Sequence, residues 1–166
     1  MLEVLKEKAI GLQYENPASP DELMKLINFL KFYADAYHHG KEEDILFPIY
    51  EQAGVPNKPG PIGVMLDEHV INRGFIKGMV EAIEDIKLGK DSKKKFIENA
   101  QNYYELLQNH IQKEDNILYP MGDSRLSDPE HQNLLEKFEH FEQKKFEQVP
   151  MLKEVLTTLN LYKPKC

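Results

Sequence analysis

Apolar residues recur at three- and four-residue intervals along nearly the whole chain, the period of a helix buried on one face, and no stretch carries the alternation of a strand. Leu2, Leu5, Ala9 and Leu12 predict a first helix from Met1 to about Tyr14. A turn at 16–20 follows, with Ser19 as N-cap and Pro20 in the first helical position. The second helix should run to about Ala53 with an inner stripe of Leu23, Leu26, Ile27, Leu30, Ala34, Tyr37, His38, Ile45 and Ile49. Pro48 should kink it or interrupt its hydrogen bonding, and Gly54 should stop it. A proline-rich connector at 55–61 leads to a third helix from about Ile62 to Leu88, closed by Gly89. A fourth, capped by Asp91 or Ser92, carries Phe96, Ile97, Ala100, Tyr103, Leu107, His110 and Leu118 and ends around Pro120 to Gly122. Ser127 and Glu130 form a capping box for a fifth helix to about Phe146, and Pro150 introduces a short one to about Leu159. The expected fold is all-α: one domain over 1–166, an antiparallel up-down four-helix bundle with an additional C-terminal helix.

Two stretches of this pattern repeat each other. His38-His39-Gly40-Lys41-Glu42-Glu43-Asp44-Ile45-Leu46-Phe47-Pro48 aligns without a gap on His110-Ile111-Gln112-Lys113-Glu114-Asp115-Asn116-Ile117-Leu118-Tyr119-Pro120. Both copies share His, Lys, Glu, Ile, Leu and Pro, and in each a His precedes a Glu by four. On a helix such a pair shares one face, with Cβ atoms about 5–6 Å apart. Two such faces opposed in a helical core surround one point with two imidazoles and two carboxylates, the outline of a metal site. His69 follows the stripe of the third helix and should join them; Arg73, one turn on, cannot ligate and should pair with an acid or close one end of the site. In the first copy His39/Glu43 repeats the spacing of His38/Glu42 one residue on, and neighbours on a helix diverge by about 100°. The repeat favours His38/Glu42, because His39 aligns with Ile111; His39 is then an added ligand at the edge or a partly exposed flanking residue. Glu114 or Asp115 can serve in the second copy, and the repeat favours Glu114. His131, His140 and the terminal Cys166 read as exposed or capping side chains and a tail.

Composition narrows the chemistry. A net charge of −7 and a pI near 5.4 argue against a nucleic-acid surface. A single cysteine excludes an internal disulfide or a cysteine-based zinc pattern. No apolar run approaches the roughly 20 residues of a membrane span, and no signal-peptide core opens the chain, so a cytoplasmic location is expected. Imidazole with carboxylate and no thiolate suits non-haem iron first, then manganese or zinc. Three histidines and two glutamates exceed a closed tetrahedral zinc site, so two irons bridged by Glu42 and Glu114, with open positions for O2, NO, peroxide or small anions, use the donors better.

At HHGKEEDILFP, GPIGVMLDEH (60–69) and YYELLQNHIQKEDNILYP (103–120), the sequence resembles the hemerythrin-like, HHE cation-binding family over about residues 1–146. The resemblance implies a left-handed four-helix bundle around a non-haem di-iron centre. Carried over by position, its ligands are His38, Glu42, His69, His110 and Glu114, with His39 joining them in some relatives. The family's first helix also begins with a ligating His in a segment that this chain starts too late to contain, and Arg73 stands where the oxygen carriers have a further His. Both departures lead to the expectation of weaker or partial metal occupancy, and a shortened first helix favours a homodimer.

Three functions compete: a di-iron carrier, scavenger or sensor of O2, NO or peroxide; a di-iron redox, iron-repair or iron-storage factor; and an interaction module with structural metal. A ferritin-type oxidase wants Glu-x-x-His on two helices, and no glutamate stands three residues before any of the six histidines. No acid/base pair beyond the ligands is evident either, so the reading favours binding over catalysis.

Overall fold

The structure is a computed structural model that describes residues 1–14 and 17–149. The expected helix after Pro150 and the terminal Cys166 lie outside the described residues. Among these, five helices and no strands are present: α1 (Leu2–Gly11), α2 (residues 20–52), α3 (Pro61–Lys87), α4 (residues 93–123) and α5 (Asp128–Gln148). None is long and apolar enough to cross a membrane.

The helix boundaries have local causes. Ser19 accepts the Glu22 N–H while the Glu22 carboxylate accepts the Ser19 N–H, and Pro20 fixes the first turn. Ser127 and Glu130 repeat part of this at α5, where Glu130 accepts from the Ser127 N–H and hydroxyl. α3 closes just before Gly89, whose φ of +78° is the left-handed turn that glycine makes without a steric penalty.

Two apolar clusters sit above and below the histidines. One joins Leu5 and Ala9 of α1, and Leu12 just beyond it, to Leu23, Ile27 and Leu30 of α2, Met79 and Ile83 of α3, and Phe96, Ala100 and Tyr103 of α4. The other joins Leu46, Phe47 and Tyr50 of α2 to Ile62 and Met65 of α3, Leu118 of α4 and Leu134 of α5. Between them lies a layer of buried polar side chains.

The α2 stripe departs from the one read at constant period. It follows Leu23, Ile27, Leu30, Ala34 and Tyr37 as expected, then passes to His39, Glu42, Leu46, Phe47 and Tyr50; Ile45 and Ile49 are only partly buried. The cause is a widened helix. Lys31–His39 and Glu42–Leu46 are π-helical, and Gly40 N–H donates to Asp35 O, five residues back. Each π turn adds a residue and moves the inward face one position along the chain.

Candidate metal centre

The repeat is present in the backbone as well as the sequence. Phe47 N–H donates to Glu42 O and Tyr119 N–H to Glu114 O, one π turn in each copy. Pro48 and Pro120 explain both: a proline has no N–H, and its ring collides with the carbonyl four residues earlier, so the preceding turn opens. Neither helix ends there. The expected interruption is a π turn inside a continuous helix, and it opens on the carboxylate of each copy.

Two overlapping groups of donors result. His39, Glu42, His69 and His110 are all buried and each offers one ligand atom, the four lying within 4.8 Å of one another. His38, Glu42 and Glu114 form the second group on the same criterion, so Glu42 belongs to both. His69 Nε2 faces His110 Nε2 at 3.1 Å and lies 3.5 Å from Glu42 Oε2. His110 Nε2 is 2.9 Å from Glu114 Oε1, and His38 Nε2 is 3.8 Å from both Glu42 Oε2 and Glu114 Oε1. The His39 ring stacks on His69 with centroids 3.9 Å apart.

Carboxylates behind the rings aim them. His69 Nδ1–H donates to Glu43 Oε1 at 2.6 Å, and His110 Nδ1–H to Glu68 Oε2 at 2.9 Å. With protons at Nδ1, the Nε2 atoms are the ones available to a cation. The outer acids are themselves held: Arg73 bonds Asp35 at 2.7 Å and Glu43 at 2.8 Å, and Lys113 bonds Glu68. Asp35 lies 3.6 Å from His39 Nδ1, beyond a good hydrogen bond. Tyr119 OH donates to Glu42 Oε1 at 2.6 Å. At the equivalent place in the first copy, Phe47 stacks against His69 instead.

Burial, opposed by His38 and reinforced by the Glu114 charge, leaves the Glu42 carboxyl well above the usual carboxylate range. Burial works the same way on Glu114, but His110 and His38 outweigh it and hold that acid ionised. Burial and the neighbouring imidazoles keep His69 neutral. For His110, burial opposes the charge, and the carboxylates of Glu114 and Glu68 overcome it and raise its pKa. Burial would also raise Asp35, yet His39 and the Arg73 guanidinium bring it down to about 2.

A cation fits this donor set. His39 Nδ1 and Nε2 and Glu42 Oε2 are buried without a hydrogen-bond partner, and Glu114 Oε1 is buried with only the histidines His110 and His38 near it. Each such group costs about 1–3 kcal/mol unless something satisfies it. Cations held here would take a lone pair from one ring nitrogen of His39 and from the carboxylate oxygens of Glu42 and Glu114.

All six residues expected from the sequence meet in these groups, with one reordering. His39, expected at the edge, is 1% exposed and central, whereas the His38 side chain is 41% exposed and reaches the cluster from its rim. Glu114 is buried and belongs to the second group, whereas Asp115 is exposed and belongs to neither. Arg73 pairs with acids, as expected. His131 and His140 belong to neither group. Sequence reasoning gave no orienting role to Glu43, Glu68 or Tyr119; the acidic residue beside each histidine-bearing turn was the available signal.

The fold and this cluster define a helical protein with a buried histidine–carboxylate centre suited to a cation. The family model described as hemerythrin HHE cation binding domain matches residues 1–122, and the chain belongs to that family. Neither the curated proteins nor the solved structures give a significant match.

Proposed function

We propose that the centre holds non-haem iron at two positions sharing Glu42, and that the loaded protein binds or senses O2, NO or peroxide. His39, Glu42, His69 and His110 would hold one ion; His38, Glu42 and Glu114 would hold the other. The observation that carries this reading is the facing pair of Nε2 atoms, each fixed by a carboxylate behind its ring, beside a buried Glu42 oxygen that has no hydrogen-bond partner. Donors of imidazole and carboxylate type without sulfur favour iron, with manganese or zinc as substitutes.

Bound iron supplies a redox-active Lewis acid for a small diatomic or anionic ligand. The chain's own part is to aim the imidazoles, keep Glu42 between the two positions, and shield the centre with the two apolar clusters. The four-donor position is enclosed and the three-donor position reaches the rim with one donor fewer, so the second should hold its ion more weakly. The same proposal has α1 to α4 arranged as an antiparallel up-down bundle around the layer.

Anaerobic reconstitution with ferrous salt, followed by an optical spectrum before and after air, tests it. A ligand-to-metal band that azide or nitric oxide shifts is expected. His110→Ala should abolish the band and His131→Ala should leave it. Metal uptake with no spectral response to any of these ligands would overturn the gas- and peroxide-binding reading.

A further inference from the structure

α5 follows the part of the chain that matches the family model, and it packs on the segment of α2 that carries His38, His39, Glu42 and Glu43. Glu142 accepts from Tyr37 OH at 2.7 Å and from Lys41 Nζ at 2.9 Å, so the two residues that bracket both histidines are tied to one carboxylate. The Lys41 ammonium also lies over the Tyr37 and Phe138 rings, 4.3 and 5.4 Å from their centroids. Gly40 has no side chain, and Phe141 takes the space: a Cβ there would stand 3.1 Å from Phe141 Cζ. Phe29, Tyr33 and Tyr37 stack along α2 with centroids 5.5 and 6.1 Å apart, and Phe146 continues the stack at 6.1 Å from Tyr37.

These contacts fall where α2 is widened without a local cause. Pro48 explains the π turn after Glu42, but the longer π stretch at Lys31–His39 has no proline to open it. π geometry is rare and occurs mostly as single turns, so nine residues of it need support from outside the helix. Both ends of α2 are fixed in the apolar clusters, through Leu23, Ile27 and Leu30 on one side and Leu46, Phe47 and Tyr50 on the other. The extra residue therefore has nowhere to go except along the helix. Moved past His39, into the turn that Pro48 opens, it would leave His38 at plain α spacing from the buried Ala34 and swing His39 outward by about 100°. The doubled histidine puts an imidazole on the inward face in either register.

We propose that α5 is a register clamp on α2: Glu142, Phe141 and Phe146 hold the widened stretch upstream of His39 and so select His39, rather than His38, for the enclosed position. They are positioning residues, since none of them belongs to either donor group. Without the clamp the same sequence presents His38 there. The consequence for metal rests on the reading above, but the register belongs to the chain itself and is read in the metal-free protein.

Hydroxyl-radical footprinting of the metal-free full chain, read residue by residue in a mass spectrometer, tests the clamp. The parent should oxidise at His38, whose side chain is 41% exposed, ahead of His39, which is 1% exposed. Glu142→Leu cuts the tie to Tyr37 and Lys41, and Gly40→Leu wedges Phe141 away. Each should reverse that order with helical circular dichroism unchanged. Glu142→Gln, whose amide oxygen still accepts both bonds, should keep the parent order. Zinc titration gives a second reading: His39→Ala should weaken the tighter site more than His38→Ala in the parent, and the ranking should invert in the Glu142→Leu background. An oxidation order that both leucine variants leave intact would overturn the proposal. So would equal oxidation of the two histidines, which means a loosened segment and no second register. Reversed oxidation in a protein that takes up no zinc would instead refute the metal reading and leave the clamp standing.

Discussion

His69 and His110 point their Nε2 atoms at each other across 3.1 Å, although they sit on different helices and each ring is anchored from behind by a carboxylate. Two imidazoles placed this way share one proton or one cation between them. The anchors make the arrangement specific, so they are the first place to test it.

Glu68→Gln keeps the shape of the side chain and removes its charge beside His110 Nδ1, where the donor lies 2.9 Å away. Metal affinity should fall about 10- to 100-fold, the usual effect of losing a partner that orients a ligand. Glu43→Gln should act similarly through His69. Chelator competition measures both, and an unchanged affinity would show that the rings are aimed by packing alone.

Tyr119→Phe replaces the second copy's tyrosine with the ring found in the first copy at Phe47. It strips Glu42 Oε1 of its donor, and an unsatisfied buried acceptor costs about 1–3 kcal/mol. The metal-free protein should lose about that much in urea unfolding. The metal-loaded protein should lose less, since a cation also satisfies the same carboxylate.

Proton release gives a pH prediction. Burial keeps Glu42 protonated above its ordinary value of 4.5, and the carboxylates around His110 raise that ring above 6.5. Glu42 therefore holds a proton near neutrality in the metal-free protein, His110 holds its second proton to higher pH than a free imidazole, and a cation has to displace them. The metal-free state binds more protons than the metal-bound state, so affinity should rise with pH through the neutral range. Binding heats should differ between buffers of different ionisation enthalpy, and Glu42→Gln should reduce the difference. Heats independent of buffer would contradict this.

Pro120→Ala should move stability and binding in opposite directions. Proline inside a helix is about 3 kcal/mol worse than alanine, so the variant should be more stable by up to that amount. With the N–H restored, the turn at Glu114–Leu118 can close to α geometry and carry Glu114 away from His110 and His38. Unfolding and metal titration on one preparation should show a higher midpoint with a weaker second ion.

The helices, the Ser19 cap and the residue types at the centre were legible because a 3.6-residue period and capping chemistry act locally. The order of His38 and His39 was not, nor the burial of Leu46 and Tyr50 in place of Ile45 and Ile49. Those errors share one origin: a constant period was carried through two π turns, each of which advances the inward face. Pro48 signalled the second, but nothing as plain marks the first, over Lys31–His39. The anchors Glu43 and Glu68 were hidden for a different reason. Which acid backs which imidazole depends on how α2, α3 and α4 meet, and that is a tertiary fact.

A crystal grown with ferrous salt and measured at the iron absorption edge tests the central claim most directly. The account predicts a strong anomalous peak enclosed by His39, Glu42, His69 and His110, with a weaker one between His38, Glu42 and Glu114. Iron found only at surface histidines such as His140, with the buried imidazoles still paired to each other, would contradict it.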